Sequence, residues 1–182
     1  MTVLADEPDF VAIRITAGSR WLAAVNSQGK RIGSWETTWR LREFEWVGQN
    51  CTYLLHPGTN CAIGYCMGNG VEKYYLNAQD PFVRFPYGLE TMDLELDMEI
   101  GADGCLARWK DIDRFRRLAS ARSIDVPTIV GDCLDAALLV SAAGVRARLT
   151  ALASLQVPIA GLHELKNLPA YERMPSGGAD ES

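Results

Sequence analysis

The sequence predicts an α+β fold: an antiparallel β-barrel with C-terminal helices packed on it. Three observations predict this. Short apolar runs fill the first two-thirds of the chain, separated by turn sequences such as Ser27-Gln28-Gly29, Gly48-Gln49-Asn50 and His56-Pro57-Gly58. Such punctuation favours a barrel or sandwich over βαβ units. After Lys110 the spacing of apolar residues changes from the period of a strand to that of a helix. At 182 residues, 48% of them hydrophobic, the chain is long enough to bury one core of its own.

The elements follow in order. Phe10 to Ile15 alternates apolar with small or charged residues, and Trp21 to Val25 is a second run. Trp35 to Leu41, Phe44 to Val47 and Cys51 to Leu55 come next. Gly64-Tyr65-Cys66-Met67-Gly68-Asn69-Gly70 lacks the Lys-Ser/Thr of a P-loop and precedes a strand, so it reads as a turn or mobile loop, with a lid as the alternative. Val71 to Ala78, Phe82 to Phe85, Met92 to Ile100 and Cys105 to Lys110 are further strands, and the Asp80-Pro81 turn sets Asn77 at a strand end. Asp111 to Arg122 fits a short helix with Phe115, Leu118 and Ala119 on one face. A second helix starts with Asp125 as N-cap and Pro127 in the first turn, where a missing N–H costs little. Its stripe is Ile129, Val130, Cys133, Leu134, Ala137 and Leu138, and it extends to about Leu152 despite Gly144. Residues 1–168 form a single domain in this reading, and 169–182 a disordered tail.

Composition narrows the function classes. Lys plus Arg total 18 against 23 Asp plus Glu, for a formal charge of -5. That is not the electrostatic footprint of a nucleic-acid binder, and an anionic substrate would need a local cation. Five cysteines at irregular spacing, no CxxC pair and two distant histidines argue against structural zinc. Free thiols suggest a reducing compartment. The N-terminus has no signal-peptide pattern, and the longest apolar stretch, Cys133 to Val145, is too short to span a bilayer. The expectation is a cytoplasmic protein with no membrane partner, and nothing in the sequence sets its oligomeric state.

Met92-Asp93-Leu94-Glu95-Leu96-Asp97-Met98-Glu99-Ile100 is the most informative segment. Side chains two apart share a face, so Asp93, Glu95, Asp97 and Glu99 project together at roughly 6.5–7 Å spacing. Two readings stay open. A solvated outer sheet face tolerates such repulsion. A cavity face needs cations among the carboxylates, and hard divalent ions favour oxygen ligands.

Gly101-Ala102-Asp103-Gly104 is a tight turn, so the segment after it pairs back on the acidic strand. With an even-length loop, Leu106, Arg108 and Lys110 share the acidic face. They then form either a salt-bridge ladder or an anion-holding site beside a metal-holding one. Asp111, where strand meets helix, is either an N-cap or a further carboxylate ligand. Arg84 could hold a substrate phosphate or be an ordinary exposed strand arginine. Trp35, Trp39, Trp46 and Trp109 read as core or barrel-lining, with base stacking open to one of them. His56 reads as a turn residue.

Tyr74-Tyr75-Leu76-Asn77, Pro81-Phe82-Val83-Arg84, Asp93-Leu94-Glu95-Leu96-Asp97, Asp103-Gly104 and Trp109-Lys110-Asp111-Ile112-Asp113-Arg114-Phe115 stand in the order seen in the DUF402 family, which the chain resembles over about residues 20 to 150. The resemblance implies a compact antiparallel barrel with helices packed on it. It implies metal-dependent hydrolysis of nucleotide phosphoanhydrides. One branch of the family cleaves nucleoside tri- and diphosphates. Another releases CMP from a cytidylyl hydroxyalkylphosphonate, and the Trp-Lys form of the last motif is closer to that branch. Asn77, Asp93, Asp97 and Asp111 match the family's metal ligands, with Glu95 at a variable position. Tyr74 and Lys110 match positions proposed to act on the phosphate or leaving group. Arg114 and Ile112 stand where the family usually has Glu, which bears on a second metal.

The resulting expectation is a hydrolase of a nucleoside phosphate or nucleotidyl conjugate, dependent on Mg or Mn. Asn77, Asp93, Asp97, Asp111 and Glu95 are its metal candidates, Tyr74 and Lys110 its catalytic candidates, and Arg84 and Arg108 its substrate-binding candidates. The alternative is a non-catalytic barrel of the same fold that binds a small ligand or a partner.

Overall fold

Period-two alternation builds one large antiparallel sheet. In the computed structural model, which describes residues 1–33, 38–86, 88–105 and 107–154, the strands are β1 (Thr2–Glu7), β2 (Phe10–Ile15), β3 (Arg20–Val25), β4 (Arg40–Glu45), β5 (Asn50–Leu55), β6 (Cys61–Gly68), β7 (Val71–Gln79), β8 (Val83–Phe85), β9 (Gly88–Glu90), β10 (Asp93–Gly101) and β11 (Ala107–Lys110). Seven of them form the main sheet in the order β1-β2-β5-β6-β7-β10-β11. Among the described residues β3 forms a two-stranded sheet with β4, and β8 one with β9, as separate hairpins.

The class expected from sequence, α+β, is the observed one, and its β part is a large antiparallel sheet. A closed barrel is not established: among the described residues no ladder joins β1 to β11. The runs at Trp35 to Leu41 and Phe44 to Val47 are one strand from Arg40, with residues 34–37 outside the described residues. The expected tail, 169–182, also lies outside the described residues, as does the end of the proposed domain.

The glycine-rich stretch is not a loop but most of β6, a central strand. Gly64 sits in mid-strand because the Tyr53 ring crosses it: a Cβ there would lie 2.7 Å from Tyr53 Cε1 and 3.0 Å from the Tyr75 carbonyl oxygen. Only Asn69 and Gly70 make the turn, both at positive φ (53° and 73°), as a tight hairpin requires.

Three helices cover one face of the sheet: α1 (Ile112–Arg122) over β10, α2 (Val126–Ser141) over β6 and β7, and α3 (Ala143–Ser154) over β5 and β6. Leu76, Leu94, Met98, Leu118 and Leu149 are fully buried between the layers. Each such side chain contributes about 1.5–3 kcal/mol. Asp125 caps α2, its carboxylate accepting the Thr128 N–H at 3.4 Å. The single helix expected to reach Leu152 is two helices, because Ala142 is extended and the axes turn by 86°. Arg14 fastens the end of α3 by donating to the Leu152 and Ala153 carbonyls at 2.7 Å, satisfying groups a helix end leaves open. Among the described residues no single helix is long and apolar enough to cross a membrane.

Cys51 and Cys66 stand opposite one another on β5 and β6 and form a disulfide, whereas Cys61, Cys105 and Cys133 are free. The expectation of five free thiols is therefore corrected for two, and the compartment argument built on them loses that premise.

Candidate active site

The sheet face away from the helices carries a cavity of about 780 Å³. Strand parity decides what faces it. On β10, Leu94, Leu96, Met98 and Ile100 are buried on the helix side. Asp93, Glu95 and Asp97 line the cavity. On β7 the same rule sends Tyr74, Leu76 and Ala78 into the core and Lys73, Tyr75 and Asn77 to the cavity. Trp21 from β3 and Trp46 close one side.

The acidic strand is not regular. Asp93 pairs with Gln79 and Asp97 with Asn77, so four steps on β10 match two on β7. The two extra residues preserve parity, and the carboxylates stay on one face. Glu95 sits at φ 66°, a left-handed conformation that costs a side-chain-bearing residue about 1–2 kcal/mol. Its N–H donates to Asp93 Oδ1 at 2.7 Å, which folds the Asp93 carboxylate back along the bulge.

β11 returns in the register that an even-length loop requires: Asp97 faces Lys110 and Glu99 faces Arg108. The charges then divide. Glu99 takes Lys73 at 2.6 Å, Arg108 at 2.6 Å and Lys110 at 3.4 Å. Its carboxyl is held down to about 2, first by the Lys73 hydrogen bond and against the effect of burial. Glu95 pairs with Arg114 at 2.7 Å. Asp97 has no such ion pair among those of the described residues. One of its oxygens, Oδ2, accepts the Tyr75 hydroxyl, while the other, Oδ1, is buried with no hydrogen-bond partner among the described residues.

Asp111 occupies the N-cap position of α1 at φ 56°, and its side chain makes no cap hydrogen bond. Its carbonyl accepts the Arg114 and Phe115 N–H groups at 2.9 and 3.0 Å, so the backbone starts the helix unaided. The carboxylate lines the cavity instead. The electrostatics record this crowding. Burial pushes the Asp97 carboxyl up to about 6, the Asp93 and Asp111 charges add to it, and the Tyr75 hydrogen bond opposes it. Asp93 is also raised, first by desolvation; solvent reaches it at the cavity mouth, but protein surrounds it elsewhere. Tyr75 is raised by burial and then by Asp97, and Tyr53 is pushed up to about 12 by burial.

Six residues expected from sequence thus meet in one cavity: Asn77, Asp93, Glu95, Asp97, Lys110 and Asp111. Three do not. Tyr74 is 3% exposed in the helix-side core, its ring 5.3 Å from that of Tyr65. It cannot share a face with Asn77, three residues on; Tyr75 can and does, as does Lys73. Period-two parity is the signal that could have pointed to Tyr75, which the sequence reading did not name. Arg84, on β8, pairs with Asp6 at 3.1 Å away from the cavity. Arg108 reaches Glu99 but stays at the rim, its side chain 70% exposed. Trp35 lies outside the described residues, and Trp109 packs against the helix-side core.

Could these residues hold a divalent ion? Among the described residues, no three His, Cys, Asp or Glu side chains converge as a ready cluster. The donor chemistry nevertheless fits. Asp93, Asp97 and Asp111 offer hard oxygens. Asn77 spends its amide nitrogen on the Ala78 carbonyl at 3.3 Å, which leaves its oxygen as the donor end. The orphaned Asp97 Oδ1 is an acceptor in want of a positive partner.

Comparison with known proteins adds an independent line. No protein-family model matches the chain, so the DUF402 resemblance rests on its residues alone. Cytidylyl-2-hydroxypropylphosphonate hydrolase of Streptomyces fradiae is 29% identical to it over 121 residues, and the enzyme of the same name from Streptomyces wedmorensis 27%. Each alignment covers 64% of this chain and 56% of the relative, so the chain spans about half the length of the curated relatives it matches. The crystal structure of the phosphatase SC4828 with the non-hydrolyzable nucleotide GPCP aligns at TM-score 0.62 and 21% identity, covering 83% of this chain and 74% of that one. The complex of FomD with CDP aligns at TM-score 0.63 and 23% identity, covering 87% and 83%. At these identities the likeness shows a shared fold.

Proposed function

We propose that this chain hydrolyses a nucleoside phosphate or nucleotidyl conjugate with the help of a divalent ion, cleaving a phosphoanhydride. Release of CMP from a cytidylyl phosphonate is the specific form that the named relatives suggest. The observation that carries this reading is the buried, unpartnered Asp97 Oδ1, set among Asp93 and Asp111 and opposite Lys110.

Asn77, Asp93, Asp97 and Asp111 would hold Mg or Mn, with Glu95 available if it leaves Arg114. A divalent ion bound there would neutralise phosphoryl oxygens and make water a nucleophile at neutral pH. The chain's own groups do the rest. Lys110 and Lys73, whose ammonium groups lie 5.4 and 5.9 Å from the Tyr75 ring centroid, offer positive charge to the phosphoryl oxygens. Tyr75 takes the role expected of Tyr74: its hydroxyl orients the Asp97 carboxylate and can supply a proton to the departing oxygen. Overall, one water adds its oxygen to phosphorus, the bond to the leaving group breaks, and the leaving group gains a proton.

A panel of nucleoside di- and triphosphates and cytidylyl conjugates, incubated with Mn and with EDTA, tests this by mass spectrometry. Metal-dependent product from the wild type, abolished in Asp93→Ala and Asp97→Ala, supports it. The Arg114–Glu95 pair and Ile112 favour one rival, a non-catalytic ligand-binding protein of this fold. Calorimetric Mn and nucleotide binding without turnover on any panel member would establish that rival.

A further inference from the structure

β5 turns two side chains toward the cavity, Cys51 and Tyr53. Cys51 is tied to Cys66, so Tyr53 is the polar group that this strand supplies. Strand side chains ordinarily stand away from the sheet. Tyr53 instead lies across β6. Its register partner is Gly64, whose own partner on β7 is Tyr75. A Cβ at Gly64 would stand 2.7 Å from Tyr53 Cε1 and 3.0 Å from Tyr53 Cδ1. The ring therefore leans from β5 over β6, with its hydroxyl end toward β7. Glycine weakens a strand interior and marks a close approach. Here it is the shelf on which a tyrosine ring can lie.

Neighbouring tyrosines spend their hydroxyls on the protein: that of Tyr75 goes to Asp97 and that of Tyr65 to Glu72. The Tyr53 hydroxyl makes no hydrogen bond among the described residues. It is half-buried, and the Asp97 and Asp93 charges both act on it. Its place in the sheet complements that of Lys110. Lys110 comes from β11, beyond β10, whereas Tyr53 comes from β5 and reaches past β6. A phosphoryl group spreads its charge over three nonbridging oxygens, so donors on opposite flanks can serve it together.

We propose that Tyr53 is a catalytic residue whose hydroxyl, held out by the Gly64 shelf, donates a hydrogen bond to a nonbridging phosphoryl oxygen from the flank opposite Lys110. This rests on the hydrolase reading for the identity of the ligand. The hydroxyl keeps its proton throughout. It binds charge that develops on the phosphoryl group, and no bond of Tyr53 is made or broken.

Tyr53→Phe keeps the ring on its shelf and removes only the hydroxyl. The full chain is measured by steady-state kinetics on the best substrate of the nucleotide panel, by Mn calorimetry, and by CDP calorimetry with Mn present. In Tyr53→Phe kcat should fall by roughly 100-fold, the scale of one lost oxyanion donor. Mn affinity and the melting temperature should stay at their wild-type values. Gly64→Ala, which pushes the ring off the shelf, should lower kcat to a similar degree, and adding it to Tyr53→Phe should cost little more. A kcat equal to that of the wild type overturns the proposal and leaves the hydrolase reading standing. Mn affinity that falls along with kcat overturns it in favour of a residue that positions the carboxylates. A wild type that turns over no panel member ends the hydrolase reading, and CDP then decides the contact. Binding weaker by about tenfold in Tyr53→Phe, one lost hydrogen bond to a charged group, supports it. Equal CDP binding overturns it, and a wild type that binds no CDP at millimolar concentration overturns both.

Discussion

Glu99→Gln tests the division of charge along β10. Glu99 is the hub of three cations, and its side chain is 16% exposed. Its carboxyl falls from an ordinary 4.5 to about 2. At 1.36 kcal/mol per pH unit that corresponds to at most ~3.4 kcal/mol. Solvent screens the partners, since Arg108 is 70% exposed, Lys110 36% and Lys73 30%. The expected loss at pH 7 is therefore about 1–2 kcal/mol. A depressed carboxylate gives stability that is complete above its unfolded value and is lost as pH falls through its folded one. The wild type should thus lead Glu99→Gln by a constant margin down to about pH 4.5, and the margin should shrink between there and pH 2. Urea midpoints for both proteins at half-unit steps from pH 7 to pH 3 measure it, with a shift of roughly 0.5–1 M at pH 7. A variant as stable as the wild type at pH 7, or a margin that does not narrow by pH 3, would falsify the reasoning.

Asp97→Asn removes one of three crowded carboxylates, so the metal-free protein should melt a few degrees higher while losing any Mn-induced rise in melting temperature; a lower metal-free melting point by scanning calorimetry refutes this. Tyr75→Phe should cut kcat by at least about 100-fold, as loss of a proton donor does. Tyr74→Phe should leave kcat within about twofold, since Tyr74 is on the core side; steady-state kinetics on both decides between the two tyrosines. Thiol titration in denaturant should count three reactive cysteines without reductant and five with it; five in both conditions would remove the Cys51–Cys66 bridge.

Much of this arrangement was legible as alternation. The acids of β10 and the leucines between them assign both faces of the strand from the sequence alone. The Asp103-Gly104 turn then carries Lys110 opposite Asp97. What alternation does not carry is pairing order, which depends on contacts far apart in sequence. Hence β6 was hidden. Gly64 and Gly68 read locally as loop, and only the Tyr53 ring lying across Gly64 explains a glycine in a central strand. The same blindness hid Arg14 holding the end of α3, a contact spanning 138 residues. The core-side position of Tyr74 was missed for another reason. Motif order placed Tyr74 by resemblance, although parity with Asn77 on the same strand already favoured Tyr75.

The bulge explains why an acidic strand can floor a cavity at all. Carboxylates about 7 Å apart repel by ~2.4 kcal/mol at an effective dielectric of 20, so four left bare would oppose folding. The structure removes two of them from the problem: Glu99 goes to Lys73, Arg108 and Lys110, and Glu95 turns at positive φ to Arg114. Asp97 remains, joined by an Asp111 whose helix starts without its side chain. A fold that needed only a quiet surface would have neutralised these two as well. Leaving them charged, with an oxygen of Asp97 buried and unpartnered, lowers the stability of the metal-free chain in a form that a positive ligand can recover. The sign of the Asp97→Asn effect on the metal-free protein is therefore the sharpest measure of the site. A stabilising change means that the carboxylate is kept for binding, and a destabilising one means that it belongs to the fold.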